Sequence, residues 1–181
     1  KSERLKREGS VKLFSIFERR KKRIDDDPRI RVTKDISDSD FVLVNDQSYM
    51  YREKVLPEAS TLEFWQNSGL VNFLMNSGFL KNEVLDIGCG TGEIDIILAK
   101  KGYNITCVDI SPYAVNVARK HADKYPDCKD RLQFLIGDIE IMYFEKRFSS
   151  AIISHTLEHV INPEKVMENI VRFLEPESYI L

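Results

Sequence analysis

Val84-Leu85-Asp86-Ile87-Gly88-Cys89-Gly90-Thr91-Gly92-Glu93 is the stretch that decides the architecture of this chain. An apolar run reads as a strand over 83–87, glycines follow at alternate positions, and a helical pattern begins near residue 92. Missing side chains let a backbone turn sharply and approach a ligand closely, with the N–H groups of the helix start facing it. A second apolar run ends at Asp109, 21 residues after Gly88. A carboxylate there is placed to accept hydrogen bonds from both ribose hydroxyls of a nucleoside.

The spacing separates two kinds of nucleoside ligand. A dinucleotide fingerprint runs G-x-G-x-x-G, with the pyrophosphate on the helix start. Here the pattern is G-x-G-x-G, and Glu93 stands at the expected third glycine. Its charge opposes phosphates but not a ligand carrying a sulfonium and an amino acid, which favours S-adenosylmethionine over NAD.

Working outward, strands are expected at 83–87, 104–109, 131–136, 148–153 and 178–181. Helices are expected at 92–101, 112–124 and 163–174, with a turn of helix near 139–145. Ser111-Pro112 and Asn162-Pro163 open two of the helices with a cap and a proline in the first turn. Strands alternating with helices of this length make βαβ units and a parallel sheet. Upstream, Ser60 and Glu63 have capping-box spacing for a helix reaching Phe79. A further helix is expected over 10–24, with extended segments at 29–33 and 41–44. The domain reading is therefore a basic helix and extended arm over 1–59, then a domain over 60–181 with a helical cover at 60–79 and a core at 82–181.

Of the 181 residues 43% are hydrophobic and 31% charged, the balance of an ordinary globular protein. No apolar run approaches the ~18–20 residues needed to span a bilayer. The charged opening Lys1-Ser2-Glu3-Arg4 is not a signal peptide. Three cysteines (Cys89, Cys107, Cys128) without a C-x-x-C pair argue against a disulfide framework and for a reducing, cytoplasmic setting. Residues 1–35 carry 13 Lys/Arg against 7 Asp/Glu, in front of an acidic remainder. Arg19–Arg23 could meet nucleic acid, but no aromatic residues interleave it and three aspartates follow, so a solvated helix end is the plainer reading.

Residues 82–181 resemble the class I S-adenosylmethionine-dependent methyltransferases, in the branch that acts on small molecules. The resemblance rests on Val84–Gly92, on Asp109, on Gly137-Asp138-Ile139, and on the loop Ile153-Ser154-His155-Thr156-Leu157-Glu158-His159-Val160. It implies an α/β fold with a Rossmann-like, doubly wound parallel sheet behind an N-terminal α-rich extension. The family sheet has seven strands and this sequence supplies five, so the expected sheet is truncated after the fifth. The resemblance further implies that Asp86, Gly88, Cys89 and Gly90, with Gly92 in the same turn, line the methionine end of the cofactor. Asp109 would hold the ribose, Ile110 would pack on the adenine, and Asp138 and Ile139 would contact its edge. Ser154 and the loop after it would face cofactor and substrate. The acceptor implied is a small molecule or saccharide. The alternatives are an RNA methyltransferase using the basic arm, and a non-catalytic cofactor-binding module.

His155-Thr156-Leu157-Glu158-His159 also spells H-x-x-E-H, a zinc-protease signature. That chemistry needs a sustained helix, whereas this segment follows a strand and meets Pro163 four residues after His159. Its resemblance to the magnesium-binding Glu-x-x-Glu-His of small-RNA methyltransferases places His155 where a carboxylate is wanted, a poor exchange for a hard cation. No metal is therefore expected. Imidazole titrates near neutrality in water, so His155 and His159 are the candidate bases for a hydroxyl or amine acceptor. A His–Glu pair that only shapes the loop is the competing reading. Tyr49, Tyr51 and Trp65 could wall a substrate pocket or simply serve as core, and His121 reads as a surface residue.

Overall fold

The computed structural model describes residues 38–181; the helix expected over 10–24 and the extended segment at 29–33 lie outside them. Five parallel strands form one sheet: β1 (Glu83–Ile87), β2 (Asn104–Asp109), β3 (Leu132–Ile136), β4 (Phe148–Ile152) and β5 (Leu174–Ile180). Their spatial order is β3-β2-β1-β4-β5. The order reverses direction beside β1, which pairs with β2 through Asp86↔Cys107 and with β4 through Asp86↔Ile152. Such a switch point opens a crevice at the carboxyl ends of the strands. Both the Gly88–Gly92 turn and Asp109 lie there.

Alternation along the strands sends apolar side chains to both faces, as a sheet covered on two sides requires. On one face Val84, Ile105 and Cys107 pack with Ile96 of α4 (Glu93–Lys100) and Val115 of α5 (Pro112–Ala122). Leu74 of α3 (Gly69–Asn76) closes that layer. On the other face Leu85, Ile87 and Val108 pack with Val166 and Ile170 of α6 (Pro163–Phe173). The doubly wound α/β architecture is thus present. Ser111 caps α5 by accepting from the Ala114 N–H, and Asn162 caps α6 by accepting from that of Lys165.

Four segments differ from the sequence expectation. Residues 41–44 are not extended but belong to a helix, α1 (Asp38–Val55). Its apolar residues form no stripe, and its inner side is polar: Tyr49 and Arg52 bond to the body, so hydrophobic period carried no signal. The helix expected from Ser60 to Phe79 is broken in two. Thr61 caps a short α2 (Leu62–Gln66), and Ser68 caps α3 by accepting from the Val71 N–H. A second cap inside a helical run stops one helix and starts another. Residues 139–141 make a hydrogen-bonded turn, not a helix. β5 begins at Leu174, and the Phe148/Ser150 irregularity in its pairing with β4 accommodates Pro176.

Candidate active site

The turn after β1 carries Gly88 at φ +77° and Gly90 at φ +57°. The Gly88 and Cys89 N–H groups both donate to the Val108 carbonyl, tying the turn to the neighbouring strand. A Cβ on Gly88 would lie 2.1 Å from Thr156 Oγ1, so the loop after β4 closes directly over the glycine. Thr156 in turn donates to the Ile87 carbonyl at 3.0 Å.

Two adjoining cavities run along the strand ends. The first is walled by Asp109, Ile110, Asp138, Ile139 and His159. The second is walled by Asp86, Cys89, Gly90, Ser154 and Arg52. Gly88, His155 and Tyr49 line both. Gly92 lines neither; its missing side chain makes room for Ala118 and Phe134, and its part is helix-to-sheet packing. The other residues assigned to cofactor or catalysis from sequence border this cleft, as do Tyr49 and Trp65, whereas Tyr51 is exposed and lines neither cavity.

Asp109 is the best-held charged group in it. Its Oδ2 accepts from the Gly90 N–H and from the Tyr49 hydroxyl, each at 2.9 Å, and its Oδ1 accepts from the Ser111 N–H at 2.9 Å. Burial raises its pKa, while the two backbone N–H groups and the Tyr49 hydroxyl oppose that rise by bonding the charged form. Asp138 accepts from the Glu140 N–H at 2.8 Å, which shapes the turn after β3. Asn169 of α6 fastens the same turn by donating to the Ile139 and Glu140 carbonyls.

Asp86 in the wall of the second cavity and its neighbour Asp95 are both buried. Burial first, and the nearness of another carboxylate after it, push both carboxyls upward. A hydrogen bond with Cys107 favours the Cys89 thiolate, but burial and three nearby carboxylates outweigh it and push the thiol up to about 12. Cys89 is therefore a neutral wall residue at neutral pH, not a nucleophile.

His155 has φ +53°, a conformation that costs a side chain-bearing residue, and its imidazole is 83% exposed. Nδ1 lies 3.6 Å from Glu158 Oε1. The loop therefore presents the imidazole at the cleft instead of packing it. Among the described residues no group of three or more His, Cys, Asp or Glu side chains is placed to hold a metal ion.

Two residues carry parts that sequence reasoning did not assign. Arg52 donates to Thr91 Oγ1 at 3.0 Å, stacks 5.0 Å from the Tyr49 ring centroid, and keeps a buried Nε with no hydrogen-bond partner. That orphaned donor at the second cavity suits a carboxylate ligand. His121, read as a surface residue, is instead part-buried 3.4 Å from Glu93, whose other oxygen accepts from Thr91. Only a fold-level juxtaposition could have revealed either.

A family profile described as "Methyltransferase domain" matches residues 85–181. The chain belongs to this family. It is 32% identical over 103 residues to the mitochondrial ubiquinone biosynthesis O-methyltransferase of Schizosaccharomyces pombe, covering 57% of this chain and 38% of that protein. To the ubiquinone biosynthesis O-methyltransferase of Actinobacillus pleuropneumoniae it is 30% identical over 107 residues, 58% of this chain and 46% of that one. The chain thus spans less than half the length of these curated relatives. Among solved structures, a SAM-dependent methyltransferase from Methanosarcina mazei superposes with a TM-score of 0.52 at 28% identity, over 59% of this chain and 54% of that one. The glycopeptide N-methyltransferase MtfA complexed with S-adenosylmethionine shares the fold, with a TM-score of 0.54 at 22% identity over 60% and 50% of the two chains.

Proposed function

We propose that the chain is the S-adenosylmethionine-binding part of a methyltransferase whose acceptor is a small molecule or saccharide. The observation that carries this reading is Asp109: a buried carboxylate at the end of β2, bonded by the glycine turn, and standing in the wall of the first cavity. The residues fit the cofactor. Asp109 has acceptor capacity for a ribose, Ile110 and Ile139 offer apolar walls for an adenine, and Asp138 borders its edge. Asp86 faces the ammonium end, and the orphaned Arg52 Nε suits the carboxylate. Gly88, Cys89, Gly90 and Ser154 line the second cavity between those two ends.

When bound, the cofactor supplies a methyl group on a positively charged sulfur, already activated for displacement. The protein's share is proximity and alignment. Glu158 beside Nδ1 favours the His155 tautomer protonated there, leaving Nε2 to accept a proton from the acceptor's hydroxyl or amine. His159, on the first cavity, is the second candidate base. The O-methyltransferase names of the two relatives favour a hydroxyl acceptor. The boundary at 59/60, with a helical cover over 60–79, belongs to the same reading. No described helix is long and apolar enough to cross a membrane. A cytoplasmic setting is supported by three free cysteines.

Calorimetric titration of the full chain with S-adenosylmethionine and S-adenosylhomocysteine, repeated for Asp109→Ala, tests the proposal. Micromolar binding that the substitution abolishes is expected. Equal binding by the variant, or none by folded wild-type protein, would overturn it.

A further inference from the structure

Tyr49 stands across the cleft. Its ring lies against the glycine turn, so close that a Cβ on Gly90 would meet it at 3.2 Å, and its side chain lines both cavities. A ligand reaching from the Asp138 end to the Asp86 end has to pass this ring. Its hydroxyl, meanwhile, donates to Oδ2 of Asp109, a residue in the wall of the first cavity.

That carboxylate has room for few donors. An ionised carboxylate offers about four acceptor positions. Three are taken on Asp109: by the Gly90 N–H, the Ser111 N–H and the Tyr49 hydroxyl. A ribose diol asks for two. The backbone donors belong to the β1 turn and to the start of α5 and cannot leave without unmaking them. Tyr49 belongs to α1, a helix attached to the body by side-chain contacts: Asp46 to Ser111 and the Tyr113 N–H, Arg52 to Thr91, and Glu53 to Tyr113. Polar, partly exposed contacts of this kind open at far lower cost than a packed core.

We propose that Tyr49 gates the cofactor cleft: its hydroxyl holds the ribose position on Asp109 and must leave as a ribose diol arrives, joining the two cavities. The inference rests on the reading of this cleft as a cofactor site. It makes Tyr49 a positioning residue, acting on the ligand through Asp109. Arg52, stacked on the Tyr49 ring, moves with it and couples the opening to the methionine end of the cleft.

The single tryptophan, Trp65, lines the second cavity and is a built-in reporter. Stopped-flow Trp fluorescence of the full chain with S-adenosylhomocysteine should show an observed rate that saturates with ligand concentration, because opening precedes binding. Tyr49→Phe keeps the ring and removes the donor. It should lift that plateau and tighten binding about tenfold, the worth of one hydrogen bond to a charged group. The gain should persist with adenosine and vanish with 2′,3′-dideoxyadenosine, which has no diol to compete for Asp109. A thermal melt checks that the variant is folded. Wild-type binding with an unchanged or slower rate in Tyr49→Phe, or an equal gain with the dideoxy ligand, overturns the gate and leaves the cofactor reading standing. Folded wild type and variant that both fail to bind overturn the two together.

Discussion

Thr156 occupies the space that any side chain at Gly88 would need: a Cβ there would lie 2.1 Å from Oγ1, 2.8 Å from Cγ2 and 2.9 Å from Cβ of Thr156. The first strand's turn and the fourth strand's loop are thereby locked together over the cleft, and Thr156 Oγ1 fastens them by donating to the Ile87 carbonyl.

Gly88→Ala should therefore destabilise the protein by about 2 kcal/mol or more, from overlap and from a positive φ. Thr156→Ala alone should cost about 1 kcal/mol through the lost hydrogen bond. The double variant should be more stable than the two costs added, because two of the three overlapping atoms are gone. Denaturant unfolding of the four proteins measures the coupling. Strict additivity would mean that the loop moves aside freely.

The buried Asp86–Asp95 pair makes stability fall with rising pH. Both carboxyls are raised above their unfolded values, burial being the main cause, so the native state holds its protons longer. That contribution is complete below about pH 4, where the unfolded chain is also protonated, and is lost as pH rises through the folded values. Asp95→Asn cannot ionise and still offers an acceptor oxygen to the Asp86 carboxyl. Its melting temperature should exceed that of wild type by more at pH 8 than at pH 5, and an equal shift at both would contradict the shared burial cost.

His121 adds a second dependence of the same sign. The Glu93 carboxylate beside it raises its pKa above the ordinary histidine value, against the lowering effect of burial. The stabilisation is complete below about pH 6.5 and fades as pH rises through the folded value. In thermal melts, His121→Gln should flatten the pH profile of stability just above pH 6.5. Because Glu93 also accepts from Thr91, which accepts from Arg52, the same variant should weaken S-adenosylhomocysteine binding by a few-fold at pH 6 and less at pH 8.

Local pattern determined a large part of this protein. Short apolar runs, Ser111-Pro112 and Asn162-Pro163, and the glycines between β1 and α4 sufficed for a doubly wound sheet, because strands, caps and tight turns are short-range physics. The same patterns placed Asp86, Asp109, Asp138 and His155 at strand ends, where a parallel sheet opens its cleft. Tertiary structure alone decided the rest. α1 presents polar side chains to the body, so no apolar period announced it, and the partnership of Tyr49 with Asp109 spans 60 residues of sequence. His121 with Glu93, and Thr156 over Gly88, likewise join residues brought close only by the packing of separate βα units. Sequence spacing encodes neighbours along one element, whereas these contacts exist only after the sheet has assembled its elements side by side.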